Sequence, residues 1–243
     1  MTFTTVLLAA TCAAALTTSG CGTTTGSRTN GAASDARREV QAALARAGSV
    51  DARVDLRVEV AVDGDLEAEI VTTGIVVRGG DEFDLEIMGP AASGLSSVQD
   101  QPVQVRLVGG RLLQRGPVVA DLIPEAGERW VDLGNDSSDT AALGLIGPGG
   151  FAALGLLDDL GDVSSTAPQR YEGSLREVAL EGGRIVGVEQ ARFELEVAGG
   201  TVSSLVVIMQ SGNGVELSVR LTMTDIGAPA TIVAPAESDV YTP

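Results

Sequence analysis

The sequence predicts an α+β domain: one strongly curved antiparallel β-sheet covered on its concave face by short helices. Three observations lead there. Apolar and charged residues alternate at period two through much of the first and last thirds of the chain. Turn-forming pairs rich in Gly, Asn and Asp separate those stretches, and one apolar, glycine-rich segment, 141–160, lies between the two sets.

The elements follow in order. Ala36, Val40, Ala43, Leu44 and Ala47 share one face at helical spacing, which predicts a helix over 34–47, with Ser34 or Asp35 as N-cap and Gly48 as stop. From Val50 to Val62 every even position is apolar, while Asp51, Arg53, Asp55, Arg57 and Glu59 stand between them. That pattern is a strand with one face buried and one in water. Asp63-Gly64 reads as a hairpin turn into Leu66, Ala68 and Ile70. Gly79-Gly80 leads to Phe83, Leu85 and Ile87; after a loop with Pro90 come Val103, Val105 and Leu107. Gly109-Gly110 then turns into a strand over 111–115. Segment 141–160 is interrupted by Pro148, Gly149 and Gly150, so it predicts two short apolar helices laid over the sheet. Strands return with Ala191, Phe193, Leu195 and Val197, then 202–209, and after Gly212-Asn213-Gly214 with Val215, Leu217, Val219, Leu221 and Met223.

Composition removes several functions. The net charge is -17, and all 16 basic residues are Arg. An acidic chain of this kind is repelled by phosphate backbones and by anionic lipid surfaces, so nucleic acid is excluded as a partner. Histidine is absent, which removes the usual general base and the commonest metal ligand. Both cysteines, Cys12 and Cys21, precede the domain, leaving it without a disulfide framework or a thiolate metal site.

The N-terminal segment has its own logic. Val6 to Leu16 is apolar but too short to span a bilayer, and small residues lead to Ser19-Gly20-Cys21. This reads as a signal peptide over 1–20 ending in a bacterial lipobox, with Cys21 as the site of lipid attachment; an ordinary cleaved signal peptide that leaves Cys21 a free thiol is the alternative. Diacylglycerol and acyl groups such as palmitate on Cys21 are the only non-protein groups expected, and two such chains suffice for stable anchoring. Residues 22–31, GTTTGSRTNG, extend a flexible tether over 21–33, whose threonines are open to glycosylation. The domain is expected over 34–237, followed by a tail over 238–243.

Several stretches together resemble the LppX/LprAFG group of actinobacterial lipoproteins, relatives in fold of the LolA/LolB lipoprotein carriers. They are Ser19-Gly20-Cys21, the early helix, the meander beginning at Val50, and the Trp-containing Glu128-Arg129-Trp130-Val131-Asp132-Leu133. The ending, from Leu221-Thr222-Met223-Thr224-Asp225-Ile226-Gly227-Ala228-Pro229 to Pro235, completes the likeness. The resemblance implies a half-barrel whose concave face encloses an apolar cavity for acyl chains. It also implies a protein on the extracytoplasmic face of the cell membrane that binds or transports lipid or glycolipid in the cell envelope, with an envelope export protein as a possible partner.

On that reading the cavity is lined by Val54, Leu56, Val58, Val60, Phe83, Leu85, Ile87, Val103, Val105, Leu107, Phe151, Leu154, Leu157, Phe193, Leu195, Leu217, Val219 and Leu221. Periodicity alone describes a filled core equally well, and then the protein is a surface interaction or scaffold lipoprotein that binds no lipid. Other groupings read as structure. Asp132, Asn135, Asp136 and Asp139 lack the spacing of a calcium loop. Asp158-Asp159, Asp81-Glu82 and Glu125 do not make a facing carboxylate pair, so no enzyme and no metal site is expected.

Overall fold

A computed structural model describes residues 27–78, 81–89, 102–134, 152–176, 179–180, 183–184 and 188–243. Helix α1 (Ser27–Ala47) is followed by strands β1 (Ala52–Val62), β2 (Asp65–Val77), β3 (Glu82–Met88), β4 (Val103–Val108) and β5 (Arg111–Arg115). Helix α2 (Pro117–Leu122) and β6 (Trp130–Asp132) close this first half. After α3 (Ala152–Gly155) come β7 (Leu160–Ala167), β8 (Arg170–Leu175) and the short pair β9 (Ala179–Leu180) and β10 (Gly183–Arg184). The last elements are β11 (Val188–Ala198), β12 (Thr201–Ser211), β13 (Val215–Thr224), a 3-10 turn over Glu237–Asp239, and β14 (Val240–Tyr241).

Twelve of these strands form one sheet in the order β14-β6-β5-β4-β3-β2-β1-β13-β12-β11-β8-β7, and β9 and β10 pair apart from it. The strongly curved, wholly antiparallel half-barrel expected from the sequence does not form. The sheet is mixed, because β14 runs parallel to β6, and it is open, with β14 and β7 as its two edges. Hairpin-linked strands add side by side, each rotated a little from the last, and nothing obliges the outermost two to share a ladder. Here ten strands separate them.

The alternation read from the sequence does produce the ladder at the centre. Val54, Leu56 and Val58 of β1 stand opposite Met223, Leu221 and Val219 of β13, all six on one face. We call this the inner face, since α1 covers it, packed on β7 and β12. Ala36, Val40, Ala43 and Ala47 form the helix's buried stripe, and their small side chains let it lie close. The helix starts at Ser27, earlier than the cap at Ser34 or Asp35 predicted. Arg37 donates to the Gly161 carbonyl, Tyr171 to the Glu39 carboxylate, and Arg46 to the Gly200 carbonyl at 3.2 Å, so the second half of the helix is tied to the sheet.

Two departures from the reading are local. Asp63 and Gly64 both have positive φ, 53° and 91°, as the predicted hairpin turn requires. The register nevertheless shifts between Val60 and Ala61. A bulge of this kind reverses which residues face inward, and Leu66, predicted to be apolar and inward, is 60% exposed. In segment 141–160 only α3, four residues long, lies within the described residues, and Leu160 already opens β7. The first of the two predicted helices lies outside the described residues.

Strands β7 and β8 were not predicted. Their register depends on Gly173, where a Cβ would sit 2.7 Å from the Phe193 ring of β11. The glycine is what lets that ring lie across the neighbouring strand.

Candidate functional site

Fifteen of the eighteen candidate cavity residues are buried. They are Val54, Leu56, Val58, Phe83, Leu85, Ile87, Val103, Val105, Leu107, Leu154, Leu157, Phe193, Leu195, Val219 and Leu221. All fifteen belong to one continuous apolar cluster, with Leu217 half-buried at its margin. Val60 is half-buried and outside that cluster, on the bulged end of β1. Phe151 and Cys21 lie outside the described residues.

The cluster crosses the sheet from Leu112 and Val131 on one side to Leu160 and Val163 on the other. It is also nearly free of polar groups. Among the described residues the buried polar side chains are Thr72, Thr201 and Ser218, and Thr201 donates to the Ala43 carbonyl at 3.5 Å. Tyr171, also buried, reaches Glu39 through its hydroxyl; that carboxylate and then burial push the phenol up to about 12. Its link to α1 therefore uses a phenol that stays protonated at any ordinary pH.

Of the clefts on the described surface, two have a defined lining, and the candidate cavity residues line neither of them. One, of about 560 Å³, is formed around Pro102, Gln104, Arg115, Pro117, Asp121 and Glu128. The other, of about 350 Å³, lies among Leu175, Glu189, Gln190, Arg192, Ile208 and Gln210.

The outer face holds a feature that the reading missed. Val77, Val108, Leu113, Trp130 and Ile232 form a second buried cluster, with Ile75, Ala230 and Val240 packed against it. The chain beyond β13 crosses this face and returns to β6. Asp51 accepts the N–H groups of Arg78 and Ala230, each at 2.9 Å, and these two contacts, Ala230's first, hold its carboxyl below its ordinary value. Arg106 donates to the Val233 carbonyl at 2.8 Å and to Asp84. Arg111 bridges Asp132 at 2.9 Å and Glu237 at 2.6 Å. Trp130 is 3% exposed, with the Arg106 and Arg115 guanidinium carbons 4.7 and 4.6 Å from its ring centroid. The signal for this second core was present as apolar doublets: Val76-Val77, Leu107-Val108, Leu112-Leu113 and Trp130-Val131. Adjacent strand residues point to opposite faces, so a doublet marks a strand buried on both.

The oxygen-rich groupings do separate work. Asp132 binds Arg111 and accepts the Gly134 N–H at 2.9 Å, while Asn135, Asp136 and Asp139 lie outside the described residues. Glu82 accepts the Gly109 N–H at 3.3 Å, and the Glu125 carbonyl accepts from Arg129. Among the described residues no group of three His, Cys, Asp or Glu side chains is placed to hold a metal. Among them, too, no helix is long and apolar enough to cross a membrane.

No family model matches the chain, and no curated protein matches it either. Distant similarity to solved structures is found. The chain is similar to LprF from Mycobacterium bovis, with 12% identity and a TM-score of 0.44, over 84% of this chain and 98% of that one. A LolA superfamily protein from Nitrosomonas europaea is similar at 13% identity and a TM-score of 0.30, over 81% and 94%. A DUF1329 family protein from Desulfovibrio piger is similar at 8% identity and 0.34, over 83% and 95%. Likenesses this distant assign no ligand, activity or partner.

Proposed function

We propose that the chain is an extracytoplasmic lipoprotein that receives lipid or glycolipid acyl chains against the inner face of its sheet. It carries or presents them in the cell envelope. On this reading residues 1–20 are removed, acyl groups on Cys21 hold the protein to the membrane, 21–33 space it from the surface, and 34–237 bind the ligand. An envelope export protein would supply or take the cargo. The role is non-enzymatic.

The observation that carries the reading is the chemistry of the inner face: an apolar layer spanning the sheet, in which Thr72 and Thr201 are the buried polar exceptions among the described residues. A surface without hydrogen-bonding groups discriminates against sugars and peptides and accepts hydrocarbon, which gains about 0.8 kcal/mol per buried methylene. A second reading has its own observation. The face residues are already buried and line neither described cleft, as in a surface interaction lipoprotein with a filled core.

Purification from the native host without detergent exchange, followed by solvent extraction and mass spectrometry, separates the two. One lipid per protein is the expected result; protein free of lipid establishes the filled core. For the anchor, Cys21→Ala is expected to move the protein from the membrane to the soluble fraction, and unchanged membrane association overturns the lipobox.

A further inference from the structure

Three arginines lie side by side on the outer face of β4 and β5, and two of them are neutralised. Arg106 pairs with Asp84, and Arg111 with Asp132 and Glu237. Arg115 has no carboxylate within 4.0 Å among the described residues, although it is half-buried. Its Nε donates to Gln104 Oε1 at 2.6 Å, and its guanidinium carbon stands 4.6 Å from the Trp130 ring centroid. Among the described residues, its two terminal nitrogens have no hydrogen-bond acceptor. A partly desolvated cation without a counter-ion is costly, and the indole face offsets that only in part.

Arg115 also forms a wall of the 560 Å³ cleft, a volume suited to a small ligand. Pro102, Pro117 and Ala120 give that cleft apolar sides, and Asp121 and Glu128 complete it. A bare anion would meet the guanidinium but would be repelled by these two carboxylates and by a chain carrying -17. A ligand bearing an acid and an ammonium group satisfies both walls at no net charge.

We propose that this cleft binds a small zwitterion, its phosphate or carboxylate taken by the Arg115 fork and its ammonium by Asp121 and Glu128. Phosphoethanolamine, as found in a lipid headgroup, and a free amino acid are two sources of that chemistry. None of the candidate cavity residues lines this cleft, so its failure and the failure of the acyl-chain reading are distinguishable.

Trp130 is the chain's one tryptophan and touches Arg115, so its emission reports binding directly. Titration of the full protein with glycerophosphoethanolamine, a phosphodiester zwitterion with no net charge, and with β-alanine is expected to give a saturable change with at least one of them. Binding should be at least about tenfold tighter than inorganic phosphate or ethanolamine alone, roughly the worth of one charge-assisted hydrogen bond. The tighter of the two zwitterions names the source. Arg115→Gln should weaken binding about tenfold or more. Asp121→Asn with Glu128→Gln, both exposed and safe for folding, should bring phosphate and glycerophosphoethanolamine within about threefold of each other. No saturable change, equal affinity for phosphate and the zwitterions in the unaltered protein, or an unaltered preference in the double variant overturns the proposal.

Discussion

The two halves of the sheet carry the same alternating sequence pattern and live in different surroundings. From β2 to β6 the outer face is roofed by the chain after Thr224, which buries Ile232 on Trp130, Val77, Val108 and Leu113. From β13 to β7 the outer face is wet: Arg170, Glu172, Arg192, Glu194, Glu196 and Arg220 are all exposed. In the roofed half Arg106, Arg111 and Asp51 are committed to partners in the covering chain. In the wet half an ion pair such as Arg170 with Glu196, 63% and 48% exposed, is held in solvent. A charge at an outward strand position therefore says little until its roof is known.

That contrast can be broken by substitutions confined to the outer face. The largest effect belongs to Trp130→Ala, which empties the centre of the roofed cluster. A loss of about 3–5 kcal/mol in denaturant-midpoint stability is expected. A loss below about 1 kcal/mol would mean that the roof does not seal.

Next is Asp51→Ala, which removes the acceptor for Ala230 and Arg78 and should cost about 1–2 kcal/mol near neutral pH. The pH dependence has a definite sign. Because the folded carboxyl titrates below its ordinary value of 3.8, its stabilisation is full above that value and disappears as pH falls through the lower, folded one. Stability curves of wild type and variant should run apart at pH 6 and converge in acid. Parallel curves down to the acid limit would remove Asp51 as the clasp.

In the wet half, Ile208 of β12 is half-buried and faces outward, opposite Arg192 and Ser218. Ile208→Ala should cost about 1 kcal/mol, a fraction of the Trp130 effect, since most of the truncated surface was already hydrated. Arg170→Gln closes the series, with a change within about 0.5 kcal/mol by thermal or chemical melting. If either wet-half variant matched Trp130→Ala, the two halves would not differ in kind.

What could be read in the sequence tracks this difference. Period two with turn pairs gave β1, β3, β4, β11 and β13 and the inward set around Leu56, Leu85 and Leu195, because one-sided burial writes itself as alternation. It failed where a single residue changes the count, at the bulge that exposes Leu66. It failed again where polar residues fill a strand, as in β7 and β8, whose Ser164, Ser165 and Thr166 resemble a loop. The outer roof was the largest omission. Residues 225–241, broken by Gly227, Pro229 and Pro235, show neither helical nor strand periodicity, and it is Ile232 and Val240, placed by long-range contacts, that do the covering. The open mixed sheet was hidden for the same reason, since two residues of β14 set its one parallel pairing. Of the sites, the inward list was legible as a face, whereas the Arg115 cleft depends on which arginine goes without a carboxylate, and only coordinates show that.

One feature of the topology governs the order in which the molecule can be completed. Val240 and Tyr241 pair with Trp130 and Val131, and β1 waits for β13 before it is bonded on both sides. A polypeptide emerging N-terminus first therefore presents a finished run of six strands with a bare indole patch for as long as the remainder takes to appear. Truncation within the last twenty or so residues would leave that interval permanent, and the resulting species is the one a chaperone or a protease would meet.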